Sequence, residues 1–220
     1  MNAWQQWLQH PEKLRAREFL FQIHFWMGAM AAPYVLLMSL TGAAIVLRNQ
    51  IPAAFHINGL VRLHSELLSG NVGRIANGIG GISTTLLCLT GAVIWWPGVQ
   101  HWRRSLSVSW GAHFPRISWD LHSALGFWCL PFVLLWGVSG FYLAVPRAFD
   151  ALYAIDPRDR YTDPFLYWLS RLHFGRFAII TEIIWTIVGL APAILAFTGA
   201  FICCRRVLYK KPSNPKLVVE

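Results

Sequence analysis

The chain has 220 residues, of which 55% are hydrophobic and only 13% charged, and its formal net charge is +9. A typical globular chain is about a quarter charged, so this composition excludes an ordinary soluble fold and intrinsic disorder. It also excludes a disulfide-stapled module, since the four cysteines all lie in apolar runs. The basic excess comes without a basic stripe or a nucleic-acid-binding motif, so no nucleic acid is expected as a partner.

In chain order, residues 1–18 hold Trp4 and Trp7 with mixed charge and read as an interfacial helix. Four runs without Asp, Glu, Lys or Arg follow, at 19–47, 75–102, 121–146 and 183–204, with lengths of 29, 28, 26 and 22 residues. About 20 apolar residues cross a hydrocarbon core of ~30 Å. The runs therefore predict spans over about 19–47, 75–96, 121–145 and 183–204, in a single integral-membrane domain covering 1–220 with a basic tail at 205–220. The first run follows a polar stretch and ends in no small-x-small cleavage pattern, so it is expected to be retained. The connection 49–73 contains Pro52 and the Ser69-Gly70-Asn71 breaker. The second span stops at Pro97-Gly98, the third at Pro146, and the 150–163 connection is rich in Asp. With both termini inside, 11 Lys and Arg fall on the inner side against 8 outside. That is the bias the positive-inside rule requires, and it predicts an N-in, C-in protein in a lipid bilayer.

An internal repeat carries the most information. His24, Gly28, Pro33 and Gly42 of the first span recur as His122, Gly126, Pro131 and Gly140 of the third, at a constant offset of 98. A hydroxyl–glycine pair stands near the exit of every span: Thr41-Gly42, Thr90-Gly91, Ser139-Gly140 and Thr198-Gly199. A Leu-His pair precedes the second and fourth spans, at Leu63-His64 and Leu172-His173. The fold class expected is all-α: a four-helix transmembrane bundle built from a duplicated helical hairpin, its halves related by an axis along the membrane normal.

The duplication turns single histidines into couples. His24 and His122 share a depth near the inner surface, and His64 and His173 share one near the outer surface. His64 would sit on a short surface helix presenting Leu60, Leu63, His64 and Leu67 on one face. Two opposed imidazoles can ligate one metal, and a planar macrocycle fits between the helices of a bundle. Gly28 and Gly126 lie one helical turn from their histidines, where a side chain would meet such a ring. Gly42 lies 18 residues beyond His24, or ~27 Å of helix, which brings Gly42 and Gly140 to the outer couple. Gly91 and Gly199 reach the inner couple in the same way. Single histidines at helix ends also occur as plain interfacial residues, and Ser/Thr-Gly pairs also serve as packing points between membrane helices. No C-x-x-C-H appears, so a haem here would be non-covalent and b-type. No zinc spacing, glycine-rich dinucleotide fingerprint or activated serine is present.

The chain resembles the PepSY-associated transmembrane proteins, bacterial inner-membrane proteins of which some are ferric-siderophore reductases. The resemblance rests on His24-Phe-Trp-Met-Gly28 with Thr41-Gly42, Leu63-His64-Ser-Glu-Leu-Leu with Gly73-Arg74, and Thr90-Gly91 with Trp95-Trp96-Pro97. It continues through Asp120-Leu-His122 with Gly126, Leu172-His173-Phe-Gly175-Arg176, and Thr198-Gly199 before Arg205-Arg206. It implies two haem b groups, one on His24 and His122 and one on His64 and His173, carrying electrons across the bacterial inner membrane. Members of that family usually carry a sizeable extracytoplasmic insertion between the first two helices, and here about 25 residues separate them. The expectation is therefore a stripped electron conduit, fed by a cytoplasmic donor or quinol and serving a redox partner subunit or periplasmic electron carrier. Its rivals are a stand-alone ferric-siderophore reductase and a cofactor-free transporter or assembly scaffold. Arg62, Arg74, Arg171 and Arg176 outside, with Arg17, Arg103, Arg104 and Arg116 inside, are candidates to pair with haem propionates or with lipid headgroups.

Overall fold

The computed structural model describes residues 15–48, 57–97, 102–153 and 162–209, together with Gln5, Leu8 and Gln9. Among the described residues the chain is helical, without strands. The elements are α1 (Arg15–Val46), α2 (Ile57–Glu66), α3 (Gly70–Trp95), α4 (Phe114–Trp128) and α5 (Leu130–Ala144). They continue with α6 (Pro146–Tyr153), α7 (Pro164–Phe174), α8 (Ile179–Gly189) and α9 (Ala191–Leu208). Three helical stretches are long and apolar enough to cross a membrane: α1, α3, and α8 with α9. The α4–α5 pair makes a fourth if it counts as one bent span. Met30, Ile79, Ile187 and Phe197 are all more than half exposed on these helices, the apolar exterior that a lipid solvent selects.

The third span, expected as one helix over 121–145, is two helices, bent by 68° at Cys129. Pro131 has no N–H for the Phe127 carbonyl one turn earlier, and the two halves take different partners, α4 lying on α9 and α5 on α3. Pro33 stands at the repeat-equivalent place, yet α1 runs on through it for 32 residues, packed against α3, α8 and α9. The fourth span, expected at 183–204, starts at Ile179 and breaks at Leu190, before Pro192. Here α1 repairs the break. The buried Ser39 hydroxyl donates to the Gly189 carbonyl and accepts the Ala193 N–H at 3.0 Å. It thus stands inside the link that an unbroken helix would make directly.

Helices α3 and α5 meet backbone to backbone. A Cβ on Gly81 would lie 2.7 Å from the Phe141 nitrogen, and one on Gly137 would lie 2.7 Å from the Thr85 hydroxyl. Small residues let membrane helices meet at the backbone in this way. At one end of α5, Phe141, Tyr142, Phe149, Leu166 and Leu169 form a buried cluster that ties α6 and α7 to the bundle. Most of the expected interfacial helix 1–18, the loop 154–161 and the tail beyond Tyr209 lie outside the described residues, as do His10, His56 and His101.

Candidate functional site

The four repeat-related histidines meet in two clusters. His24 on α1 faces His122 on α4, their ring centroids 6.4 Å apart and their planes at 80°. His64 on α2 and His173 on α7 line one cavity of about 280 Å³, which also takes in Gly42, Asn77, Gly140 and Trp185. All four histidines are half-buried. His64 pairs with Thr41, 17 residues beyond His24 on α1, so about 25 Å of helix separates the clusters.

Each imidazole is held through Nδ1 by a hydroxyl on a neighbouring helix. The distances are 3.0 Å for His24 to Thr90, 3.1 Å for His122 to Thr198, 2.8 Å for His64 to Thr41 and 2.7 Å for His173 to Ser139. The glycine that follows each hydroxyl completes the seat in three cases. A Cβ on Gly91 or Gly199 would lie 3.1 Å from Cε1 of His24 or His122, and one on Gly42 would lie 3.0 Å from Cε1 of His64. The fourth differs. A Cβ on Gly140 would meet nothing within 4 Å, because Gly140 opens on the cavity. Gly28 and Gly126, one turn from their histidines, face the ends of Leu87 and Leu195 at the ordinary distances of 3.6 and 3.9 Å.

Long-range partners position the two histidines on short helices. Asn77 of α3 donates to the His64 carbonyl at 2.7 Å, and the turn that follows α2 takes Leu67 and Leu68 into the left-handed region, a costly conformation for branched side chains. On α7, Asp163 caps the start by accepting from the Leu166 N–H. Gly175 ends the helix at φ +62, and Trp185 donates to the Leu172 carbonyl at 2.8 Å. Any Cβ at Gly175 would strike the Trp185 ring. Burial holds the His64 imidazole far below its ordinary range, at about 4, and burial with the His64 charge opposite takes His173 to about 3. Both rings are neutral at physiological pH, the state in which an imidazole nitrogen ligates a metal.

The arginines divide. Arg62 pairs with Glu66 and Arg116 with Asp120, while Arg103 and Arg171 stack on Trp102 and Phe177. Arg74 and Arg176 line the His64–His173 cavity, and the buried Nε of Arg176 has no hydrogen-bond partner among the described residues. Arg17, seven residues before His24 and so on its face of α1, donates to the Ile94 carbonyl at 2.8 Å and keeps a buried Nε that is likewise unmatched among the described residues. The sequence marks the four hydroxyls by their recurrence before every exit glycine, without their partners. Asn77, Ser39 and Trp185 are residues that the sequence did not single out.

Residues 54–164, half of the chain, match the family described as PepSY-associated TM region. The chain belongs to this family. A curated relative, the uncharacterized protein PA4219 of Pseudomonas aeruginosa, is 35% identical over 85 residues, which make up 37% of this chain and 20% of that protein. The chain thus matches about a fifth of that relative's length. No solved structure matches it.

Proposed function

We propose that this PepSY-associated membrane protein is a di-haem b-type cytochrome that moves electrons across the bacterial inner membrane for a separate redox partner. The observation that carries the reading is the meeting of His24 and His122 from different helices at 6.4 Å between ring centroids. Two imidazoles ligating one metal from opposite sides at about 2 Å each have ring centres roughly 6 Å apart. The His64–His173 cavity fits the same group. It offers two neutral imidazoles, an open wall at Gly140, and the unmatched Arg176 donor for an acidic substituent. Each haem, when bound, supplies one-electron iron chemistry.

The protein's own contribution is placement. The duplicated hairpin gives two ligand pairs at opposite depths, and the hydroxyl–glycine seats hold each ring. Arg17 on one side, with Arg74 and Arg176 on the other, offers charge-assisted hydrogen bonds to propionates. With both termini inside, His24 and His122 face a cytoplasmic donor or quinol, and His64 and His173 face a periplasmic acceptor. A cysteine at Ser107 would then be protected from an impermeant thiol reagent in intact cells, and one at Thr162 labelled.

The functional test uses purified protein in vesicles that enclose ferricyanide. Haem-loaded protein should pass electrons from an external impermeant reductant to the interior and show a Soret band that shifts on reduction. A colourless preparation, or vesicles no faster than empty ones, refutes the reading and favours a cofactor-free transporter or scaffold. Reduction of ferric siderophore by the protein alone, without a partner, would instead identify it as the reductase.

A further inference from the structure

The hydrogen bonds at the four hydroxyls have only one consistent direction. Each hydroxyl stands within 2.6–2.7 Å of the carbonyl four residues earlier on its own helix: Leu86 for Thr90, Ile194 for Thr198, Leu37 for Thr41 and Leu135 for Ser139. A hydroxyl has one proton to give, and a carbonyl can only accept. The proton therefore goes to the carbonyl, and the hydroxyl oxygen is left to accept from the imidazole. All four histidines must then carry their proton on Nδ1 and present a bare Nε2.

We infer that Thr90, Thr198, Thr41 and Ser139 are positioning residues that lock the tautomer of His24, His122, His64 and His173 and set the donor strength of each Nε2. This deepens the di-haem reading and rests on it. The adjacent glycine does the steric half of the work in three seats, letting the Cε1 edge of the ring lie against the helix while the hydroxyl holds Nδ1. A partner on the far nitrogen fixes ring orientation and raises the basicity of the ligating one.

The two clusters are not equally endowed. His122 Nδ1 also stands 3.1 Å from the Leu195 carbonyl. Among the described residues, the only acceptors facing His64 and His173 are their hydroxyls. An amide carbonyl is a better acceptor than an alcohol hydroxyl, and His122 has one in addition to its hydroxyl. The His24–His122 ligands are therefore the more basic pair and favour ferric iron more strongly. Of the two haems, the one depleted by His122→Ala should have the lower midpoint potential.

The experiment is redox titration with electron paramagnetic resonance on purified, haem-loaded protein carrying Thr198→Val, Thr198→Ser, Thr41→Val or Thr41→Ser. Thr186→Val, whose hydroxyl among the described residues bonds only the Glu182 carbonyl, is the control. Each valine should raise the midpoint potential of its own haem and change the ferric g-anisotropy as the ring turns, while each serine and the control leave both as in the wild type. The Thr41 shift should exceed the Thr198 shift, since Leu195 still holds His122. If a valine variant loses its haem altogether, the matching serine variant must retain it at the wild-type potential. Loss from both overturns the inference. Wild-type protein with two haems whose potentials and spectra ignore the valines also overturns it and leaves the di-haem reading standing. A colourless wild type removes both.

Discussion

The two histidine clusters reach similar local geometry by different means. His24 and His122 stand on α1 and α4, helices of 32 and 15 residues packed into the bundle, and that packing sets the ring positions. Each ring then needs little beyond a hydroxyl and a glycine across the interface. His64 and His173 stand on helices of 10 and 11 residues, α2 and α7, too short to be stable alone. They depend on Asn77, the Asp163 cap, Gly175 and Trp185 to hold them over the bundle. One cluster is fixed by the bundle, and the other is hung from it. The second should therefore be the easier to lose, and the easier to reach from outside the bundle.

The strongest perturbation of that contrast is Gly91→Leu or Gly199→Leu. An isobutyl group where even a Cβ would lie 3.1 Å from Cε1 must push His24 or His122 aside. The expected result is loss of about one haem per chain, the one that His24→Ala removes, with the other near full occupancy. Equal loss of both would reduce these glycines to general packing.

A smaller and more pointed effect separates Gly42 from Gly140, which the repeat makes equivalent. Gly42→Ala should displace His64 and lower occupancy of its haem in part, because the added carbon sits 3.0 Å from the ring. Gly140→Ala should leave the haem-free fold untouched, and Gly140→Leu should block the cavity without moving His173. Thermal unfolding of haem-free protein beside haem content distinguishes the two. Destabilisation of the haem-free protein by Gly140→Leu would contradict the open wall.

Asn77→Leu removes the bond to the His64 carbonyl and should cost about 1–3 kcal/mol, felt first as loss of haem at His64–His173. If the His24–His122 haem fell equally, α2 would not be hung as described. Least local is Ser39→Ala. It unmakes the repair of the α8–α9 break at a cost of about 1–2 kcal/mol and should lower the unfolding midpoint by a few degrees, with the two haems lost together.

The repeat shows how far sequence alone could go. The offset of 98 pairs His24 with His122, and the Leu-His motif pairs His64 with His173. The structure sets His24 beside His122 and places His64 and His173 on one cavity. The all-helical, membrane-spanning character followed from charge spacing. The bends did not follow. Pro33 and Pro131 are equivalent in the sequence, yet one lies inside an uninterrupted helix and the other beside a 68° break, since the outcome turns on which neighbours each half-helix meets. Ser39 acts across 150 residues on Gly189, and Asn77 acts on a main-chain carbonyl. Neither leaves a period or a motif. The hydroxyls were visible in the pattern, but their partners were not, because a threonine that bonds its own helix looks the same whether or not an imidazole sits behind it.

The pairing of the histidines is open to a single assay. Pyridine haemochrome analysis with low-temperature spectra, applied to purified wild type and to His24→Ala, His122→Ala, His64→Ala and His173→Ala, reports both haem number and haem identity. The expected result is about two haem b in the wild type, one spectral species lost in both His24→Ala and His122→Ala, and the other in both His64→Ala and His173→Ala. A wild type without haem, or His24→Ala and His64→Ala removing the same species, would contradict it.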